Sequence, residues 1–148
     1  MSDKIDRSLY RRCFGCGEEN PIGAHLKFEK ISEDTVISYF SPPSTWVGWG
    51  NIVHGGLQAL LLDEAAGWGT ILLVGEYAVT IKASIKYLKP LYVKQLIKIT
   101  STLTKREKET LYFSASLHNQ NNQLCTTGEF LYKIVPESVL NLIAKHPP

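Results

Sequence analysis

The sequence is poor in the features that would assign it to several large classes of protein. Its 148 residues carry a formal net charge of only +2, so composition does not favour a nucleic-acid partner. The charged start, MSDKIDRSLYRR, lacks the apolar segment of a secretion signal, and no apolar stretch is expected to be long enough to span a bilayer. There are only three cysteines, an odd number without a secretion signal, which predicts a reducing, cytoplasmic location.

The remaining composition is that of an ordinary globular protein. Hydrophobic residues make up 44% of the chain and charged residues 20%, without a repeat or a low-complexity tract. We therefore predict a single domain over residues 1–148, since this length can bury a substantial core. Residues 1–24 are interpreted as an N-terminal extension with a C-x-x-C turn, and residues 135–148 as a short C-terminal helix and tail.

The order of predicted elements indicates the fold class. Two short alternating segments precede a proline- and glycine-rich loop, SPPSTWVGWGN. A long helix follows and is expected to end near Gly75, with a stripe of apolar residues at spacings of three and four. Four segments rich in β-branched and aromatic residues come next. The sequence thus predicts an α+β fold, an antiparallel sheet wrapped around one long central helix. The predicted buried stripe is Leu57, Leu60, Leu61, Ala65, Trp68 and Leu72.

Two acids interrupt this apolar helix. A buried carboxylate costs free energy unless it is paired, hydrogen-bonded or protonated, so Asp63 and Glu64 require an explanation. Adjacent helical residues point about 100° apart, so at most one of the two is expected to face a functional site. The ordinary interpretation is a carboxylate that pairs with a basic side chain or faces solvent.

Three motifs resemble those of a known family. They are CFGCGEENPIGAHLKF at residues 13–28, HGG at residues 54–56 with Asp63 nine residues after the histidine, and YLKP at residues 87–90. In this order they resemble the hotdog-fold acyl-CoA thioesterases, especially the phenylacetate-pathway-like branch of the 4-hydroxybenzoyl-CoA thioesterase superfamily. The resemblance extends over roughly residues 13 to 134.

The resemblance implies an active site shared between two subunits of a homodimer or a dimer of dimers. The backbone N–H of Gly55 polarises the thioester carbonyl, and Asp63 of the partner acts as nucleophile or as general base. Glycine permits close approach of a carbonyl, and the N-terminus of a helix favours developing negative charge. His54 is expected to orient the loop or the ligand, with a role as base as the alternative. No metal or redox cofactor is implied.

Other residues near the motif are expected to bind substrate. Gly56 is counted with them as the second glycine of the motif. Relatives often have an amide side chain six residues before the histidine, where this chain has Gly48, and Asn51 is a candidate substitute. Trp49 could wall an acyl pocket, with core packing as the alternative. Lys89 could contact a phosphate of CoA or simply be exposed.

The C-x-x-C motif has three interpretations. Cys13 and Cys16 together with His25 suggest zinc, but a structural zinc site needs four ligands and the sequence has no second C-x-x-C. A redox role lacks the surrounding strand–helix–strand pattern. Local packing of a tight turn without metal is therefore the favoured interpretation.

Two functions from different classes follow from these residues. The first is an acyl-CoA thioesterase that hydrolyses the thioester to a carboxylic acid and CoA. The second is a non-catalytic domain that binds acyl-CoA or lipid in the same cleft. A hotdog hydratase is less favoured, because the sequence lacks the paired Asp and His signature of that group. An Asp63 that is ion-paired and shut off from any cleft would favour the binding domain.

Overall fold

The computed structural model describes residues 7–146, so the outer ends of the predicted extension and tail lie outside the described residues. The division of the chain into extension, domain and tail stays a prediction. One turn of 3-10 helix at Arg7–Leu9 precedes the regular elements. In chain order these are β1 (Glu29–Lys30), β2 (Thr35–Phe40), α1 (Gly55–Gly69), β3 (Ala78–Tyr87), β4 (Ile97–Glu107), β5 (Thr110–His118), β6 (Leu124–Ile134) and α2 (Glu137–Ala144).

The strands form one antiparallel sheet in the order β1-β2-β4-β5-β6-β3. The helix α1 lies against it and contacts β4, β5 and β6 across the middle of the sheet. Strands β4, β5 and β6 alternate buried with more exposed residues, because only one face meets the helix. The predicted α+β arrangement of a sheet around one central helix is confirmed.

The buried face of α1 differs in part from the predicted stripe. Leu61 and Ala65 are buried as expected, whereas Leu57, Leu60, Trp68 and Leu72 are only half-buried. The prediction failed because apolar residues occupy nearly every side of this helix, so their spacing does not select one face. The residues that meet the sheet are Gln58, Leu61, Leu62, Ala65, Ala66 and Gly69.

The helix is longer than the α-helical segment alone. It continues as one π-helical stretch, Thr70–Val74, and ends at Gly75, whose φ of 77° is left-handed as in a glycine C-cap. Gly55–Val74 thus has 20 residues and a mean hydropathy of 1.3, enough in length and composition to cross a membrane. This corrects the expectation that no apolar stretch is long enough. Core helices of globular proteins meet the same criterion, and this one packs on the sheet.

The first predicted strand is much shorter than the sequence suggested. Residues 24–31 alternate between apolar and polar side chains, but within this segment only β1 pairs with the sheet. The N–H groups of Ala24 and Leu26 instead donate to the carbonyls of Phe14 and Gly15, at 2.8 and 2.9 Å. These bonds attach the segment to the C-x-x-C turn, and the backbone groups satisfied there are not available to a strand.

Close packing between α1 and β5 predicts a large stability effect at one glycine. A Cβ added to Gly69 would lie 2.5 Å from Cε1 of the buried Phe113 ring. Gly69→Ala is therefore expected to lower the free energy of unfolding by about 1–3 kcal/mol, measured by urea denaturation.

Gly67→Ala is the matched control on the same helix. Its added Cβ would meet no atom closer than the Tyr132 hydroxyl, at 3.7 Å. Because alanine favours helix over glycine by up to about 1 kcal/mol, this variant is expected to be as stable as the parent or more so. Equal stabilisation by both substitutions would contradict the packing described for Gly69.

Candidate active site

The N-terminus of α1 is built by the HGG motif. His54 is the N-cap, and its Nδ1 accepts a hydrogen bond of 2.9 Å from the Gly56 N–H. The His54 carbonyl accepts from the N–H groups of Leu57 and Gln58. Among the described residues, the N–H of Gly55 has no acceptor, as expected for the first turn of a helix. The geometry supports a structural role for His54 and leaves the Gly55 amide available, while the Gly56 amide is used by the cap.

A cleft of about 330 Å³ lies beside this helix start. Gly55 and Lys89 both line it, together with the ring of Tyr87 at the end of β3. The Tyr87 hydroxyl donates a 2.8 Å hydrogen bond to the Gly55 carbonyl. Beneath it the buried Gln58 is fully paired, donating to the Val53 carbonyl at 2.8 Å and accepting from a threonine hydroxyl of β6 at 2.6 Å. These contacts fix the first turn of α1 to the sheet.

Asp63 lies two turns further along α1, against the other end of β3. Its Oδ1 accepts hydrogen bonds from the hydroxyls of Thr80, at 2.7 Å, and of Tyr132, at 2.5 Å. Burial and the neighbouring Asp63 charge raise the pKa of Tyr132, so its hydroxyl stays a donor at neutral pH. Within residues 7–146, Oδ2 has no hydrogen-bond partner and Asp63 forms no ion pair. One carboxylate oxygen is thus held in place and the other is available to water or substrate.

Asp63 is also accessible from two clefts. One, of about 410 Å³, lies between α1 and β3, and Gly56 and Thr80 line it. The other, of about 370 Å³, is mostly apolar and extends along the C-terminal half of α1 towards α2, where Leu140 and Ile143 line it. A carboxylate placed between two mostly apolar clefts suits a reactive carbonyl that carries a hydrocarbon chain.

A β-bulge in β3 aims its side chains at both ends of this site. Thr80 pairs with Tyr132 and Lys82 with Leu131, so Ile81 is an extra residue in the strand. The bulge changes the alternation, and therefore Thr80 and Tyr87, seven residues apart, both face α1. Without it, one of these hydroxyls would point to the opposite face of the sheet.

Glu64 points away from Asp63, towards the C-x-x-C turn. Its Oε1 is 3.3 Å from Cys13 Sγ. Burial, with a smaller contribution from the charge of Cys13, raises the pKa of Glu64 to about 8. Hydrogen bonds, chiefly from the Cys16 thiol, lower the pKa of Cys13 to about 5, and the same pairing raises the pKa of Cys16. The two adjacent acids thus have different hydrogen-bond partners, although both line the same two clefts.

The other predicted substrate-binding residues lie on exposed loops. Trp49 is 89% exposed and Asn51 is exposed, and neither lines the clefts described above. Lys89 is exposed at the rim of the Gly55 cleft. Trp46 belongs to the core and packs against the rings of Phe14 and Phe40.

Sequence reasoning missed several residues that contact the predicted pair. Tyr87 lies in the YLKP motif, but no role was assigned to its hydroxyl. Thr80 and Tyr132 are opposite one another on neighbouring strands, a relation that depends on the bulge. A buried glutamine on the sheet side of an apolar helix was a signal that could have identified Gln58.

Tyr132 provides a test of how Asp63 is positioned. Tyr132→Phe keeps the ring but removes the hydroxyl that contacts both Oδ1 and the backbone carbonyl of Asp63, so kcat for a reaction at Asp63 should fall by about three- to tenfold, the effect of one lost hydrogen bond. KM should change little, because the hydroxyl acts through Asp63. A rise in KM at unchanged kcat would show instead that Tyr132 contributes to substrate binding.

The sheet, the central helix and the capped N-terminus together define a hotdog-fold protein with a carboxylate beside its edge strand. A sequence profile of the thioesterase superfamily matches residues 50–126, more than half of the chain, and the chain belongs to this superfamily. The match includes the HGG motif, Asp63 and Thr80.

Two curated relatives are similar in sequence. The Schizosaccharomyces pombe protein C26H8.11c is 33% identical over 119 residues, which cover 77% of this chain and 66% of that protein. The human acyl-coenzyme A thioesterase THEM5 is 30% identical over 136 residues, which cover 88% of this chain and 53% of that protein. The chain therefore spans between about half and two thirds of the length of these relatives.

Solved structures confirm the hotdog fold. The thioesterase superfamily protein RHA08564 superposes with a TM-score of 0.77 at 24% identity, covering 83% of this chain and 60% of that one. PaaI of the Escherichia coli phenylacetic acid degradation operon superposes with a TM-score of 0.70 at 16% identity, covering 76% of this chain and 81% of that one. The protein smu.793 of Streptococcus mutans, solved with acetyl CoA, superposes with a TM-score of 0.69 at 22% identity, covering 74% of this chain and 88% of that one.

Proposed function

We propose that this protein is an acyl-CoA thioesterase, which hydrolyses R–CO–SCoA with water to a carboxylic acid and free CoA. The observation that carries the proposal is the Asp63 carboxylate, which is held by two hydroxyls through Oδ1, has no partner for Oδ2 among the described residues, and lines two clefts. The related human protein bears the name of an acyl-coenzyme A thioesterase, which supports the same substrate class.

A single chain separates the two groups that the reaction needs. Gly55 and Asp63 lie on the same helix eight residues apart, which corresponds to about 12 Å along the axis. Gly55 lines one cleft and Asp63 lines others. An amide that polarises a carbonyl and a carboxylate that attacks it must lie within about 3 Å of neighbouring atoms of one group. A second copy of the chain is therefore proposed to complete the site.

The edge strand β3 offers the surface for that second copy. It pairs only with β6, and its ten residues are mostly exposed, including Val79 and Ile81 at 47% and 54%. A long unpaired edge with exposed apolar side chains favours pairing with another strand. Antiparallel self-pairing of β3 centred on Ser84, with Ile81 as the extra residue of the bulge, would place Thr80 opposite the partner's Tyr87.

This pairing would join the two halves of the site. Thr80 holds Asp63, and Tyr87 holds Gly55, so the register brings Asp63 towards Gly55 of the partner subunit. The twofold axis then generates two equivalent sites in a homodimer. A dimer of dimers would keep the same pair of sites in each half.

The proposed chemistry uses each group once. The thioester carbonyl oxygen accepts a hydrogen bond from the Gly55 N–H, where the helix N-terminus stabilises the negative charge that develops. Asp63 either removes a proton from water as it attacks the carbonyl carbon, or attacks directly to form an anhydride that water then opens. In the first route the C–S bond then breaks and the proton held by Asp63 passes to the CoA sulfur. In the second route CoA leaves as the thiolate when the anhydride forms, and the water that opens the anhydride supplies its proton. Either route releases the carboxylic acid and restores the Asp63 carboxylate. Lys89 is proposed to pair with a CoA phosphate at the rim, and Trp49 and Asn51 to contact substrate from the exposed loop.

The binding-domain alternative predicts a different environment for Asp63. It would be favoured by an Asp63 that is ion-paired and closed off from any cleft. In the described part of the chain Asp63 forms no ion pair and lines two clefts. These observations support hydrolysis over binding alone.

Thiol release from a panel of acyl-CoAs tests the function. Short, medium, long and aryl acyl-CoAs are incubated with the protein, and free CoA is followed with a thiol reagent. We expect turnover of at least one class, with a preference for acyl groups that fit the apolar cavity of about 370 Å³ beside Asp63. Tight binding of acyl-CoA without thiol release across the whole panel would reject the thioesterase proposal.

A further inference from the structure

A second chemical cluster includes Glu64, the neighbour of Asp63 on α1. The sulfur atoms of Cys13 and Cys16 and a carboxylate oxygen of Glu64 all lie within 4.8 Å of one another. The two cysteines come from the N-terminal turn, and Glu64 comes from the middle of α1, about 50 residues away. The proposed hydrolysis of thioesters gives none of these three groups a role.

The spacing of Cys13 Sγ and Glu64 Oε1 matches two neighbouring ligands of a tetrahedral zinc ion. Zn–S bonds of about 2.3 Å and Zn–O bonds of about 2.0 Å place a sulfur and an oxygen ligand about 3.5 Å apart. Cys13 Sγ and Glu64 Oε1 are 3.3 Å apart. A small divalent cation that prefers thiolate ligands would therefore fit between them without rearrangement of the backbone.

The turn also supplies hydrogen bonds that suit a metal-bound thiolate. The turn brings the backbone N–H groups of Cys16 and Gly15 towards the Cys13 sulfur. The Gly17 N–H donates to the Cys13 carbonyl at 2.9 Å and closes the turn. Peptide donors aimed at a sulfur stabilise its negative charge, and such outer contacts orient ligands in metal sites.

Gly15 lets the carboxylate close over the turn. A Cβ at this position would lie 2.3 Å from Cδ and 2.7 Å from Oε1 of Glu64. Only a residue without a side chain allows this approach, so the turn and the carboxylate are fitted to one another. In the described part of the chain, no basic side chain forms an ion pair with Glu64.

We propose that Cys13, Cys16 and Glu64 bind one zinc ion, with water from the adjacent cleft as the fourth ligand. All three residues line the apolar cleft that also reaches Asp63, so the fourth position is open to solvent. His25 is not part of the cluster, since its Nε2 lies 2.6 Å from the Asn20 carbonyl on the surface. The expectation of a metal-free turn was based on too few ligands near the C-x-x-C motif, and Glu64 supplies one from the helix.

Such an ion would fasten the N-terminal turn to α1 and fix the orientation of Glu64. It would also balance the negative charge of two thiolates and a carboxylate in a partly buried site. The proposal does not depend on thioester hydrolysis, because it rests on a separate set of ligands and is tested by metal content.

Elemental analysis of the purified protein tests the proposal. After reconstitution with zinc and removal of free metal, we expect about one zinc per chain for the parent and for Cys125→Ala. Cys125 is the matched control, a buried cysteine of β6 outside the cluster. Cys13→Ser and Glu64→Gln should each reduce bound zinc by at least tenfold at the same dialysis concentration.

Cobalt substitution provides the readout that is independent of folding defects. Cobalt(II) added to the metal-free parent should give sulfur-to-cobalt absorption and tetrahedral d–d bands, and Glu64→Gln should weaken binding while preserving the sulfur contribution. A parent chain that takes up neither zinc nor cobalt would overturn the proposal. So would a stable Cys13–Cys16 disulfide in the purified protein, or equal metal content in the Cys13→Ser and Cys125→Ala variants.

Discussion

Asp63→Asn is expected to lower the turnover of acyl-CoA by about a thousandfold, the effect of losing a general base or a nucleophile. The amide keeps the size of the carboxylate and can still accept hydrogen bonds from Thr80 and Tyr132 through its oxygen. It cannot take a proton from water or attack a carbonyl. The loss should therefore appear in kcat, while the unfolding midpoint changes little.

Asp34→Asn is the matched control for this substitution. Asp34 accepts hydrogen bonds from Ser32 and Thr35 in the turn between β1 and β2, far along the sheet from β3. Its variant should hydrolyse acyl-CoA like the parent. If a folded Asp63→Asn protein kept more than a tenth of the parent activity, Asp63 would be neither the general base nor the nucleophile.

Gly55→Ala is expected to lower turnover by more than tenfold, comparable with the loss of an oxyanion donor. The added methyl group would stand where the thioester carbonyl approaches the Gly55 N–H. Within the chain, the new Cβ would contact the Tyr87 ring at 3.4 Å, an ordinary van der Waals distance. The variant should thus fold normally and lose activity because of the substrate, not because of its own packing.

Tyr87→Phe separates these two causes. The Tyr87 hydroxyl bonds to the Gly55 carbonyl and would lie 3.5 Å from the added methyl group. If Gly55→Ala acted by displacing this tyrosine, the double variant would be no worse than Tyr87→Phe alone. We expect the double variant to stay as impaired as Gly55→Ala or more so. Full activity in a folded Gly55→Ala protein would remove Gly55 from the mechanism.

Local sequence signals predicted the elements that depend on neighbours in the chain. The strand predicted at residues 124–134 coincides with β6, and Gly75 ends the helical segment as expected. The HGG motif correctly predicted a helix start, because a histidine cap and glycines act within one turn. These features are encoded within a few residues, so a pattern can identify them.

Features that depend on the sheet or on distant residues were not predictable. The buried side of α1 is set by the curvature of the sheet, and the apolar composition of the helix does not distinguish its faces. That Thr80 and Tyr87 both face α1 depends on the bulge at Ile81, which shifts the alternation of β3, and the contact of Asp63 with Tyr132 joins residues far apart in the chain. The approach of Glu64 to Cys13 joins residues 51 positions apart, with no spacing rule to indicate it.

Each active site is proposed to take Gly55 from one subunit and Asp63 from the other. In a dimer that pairs one Asp63→Asn chain with one Gly55→Ala chain, one site carries both lesions and the other carries neither. Equal amounts of the two variants, unfolded and refolded together, should form about half mixed dimers by random pairing.

The measurement is the acyl-CoA hydrolysis rate of this refolded mixture, with mixed dimers counted by native mass spectrometry. Because half of the dimers then contain one intact site of two, the mixture should regain about a quarter of the parent activity, well above either variant alone. If both groups of a site came from the same chain, every site would keep one lesion. An unchanged, low rate in a mixture that contains the expected mixed dimers would contradict the shared site.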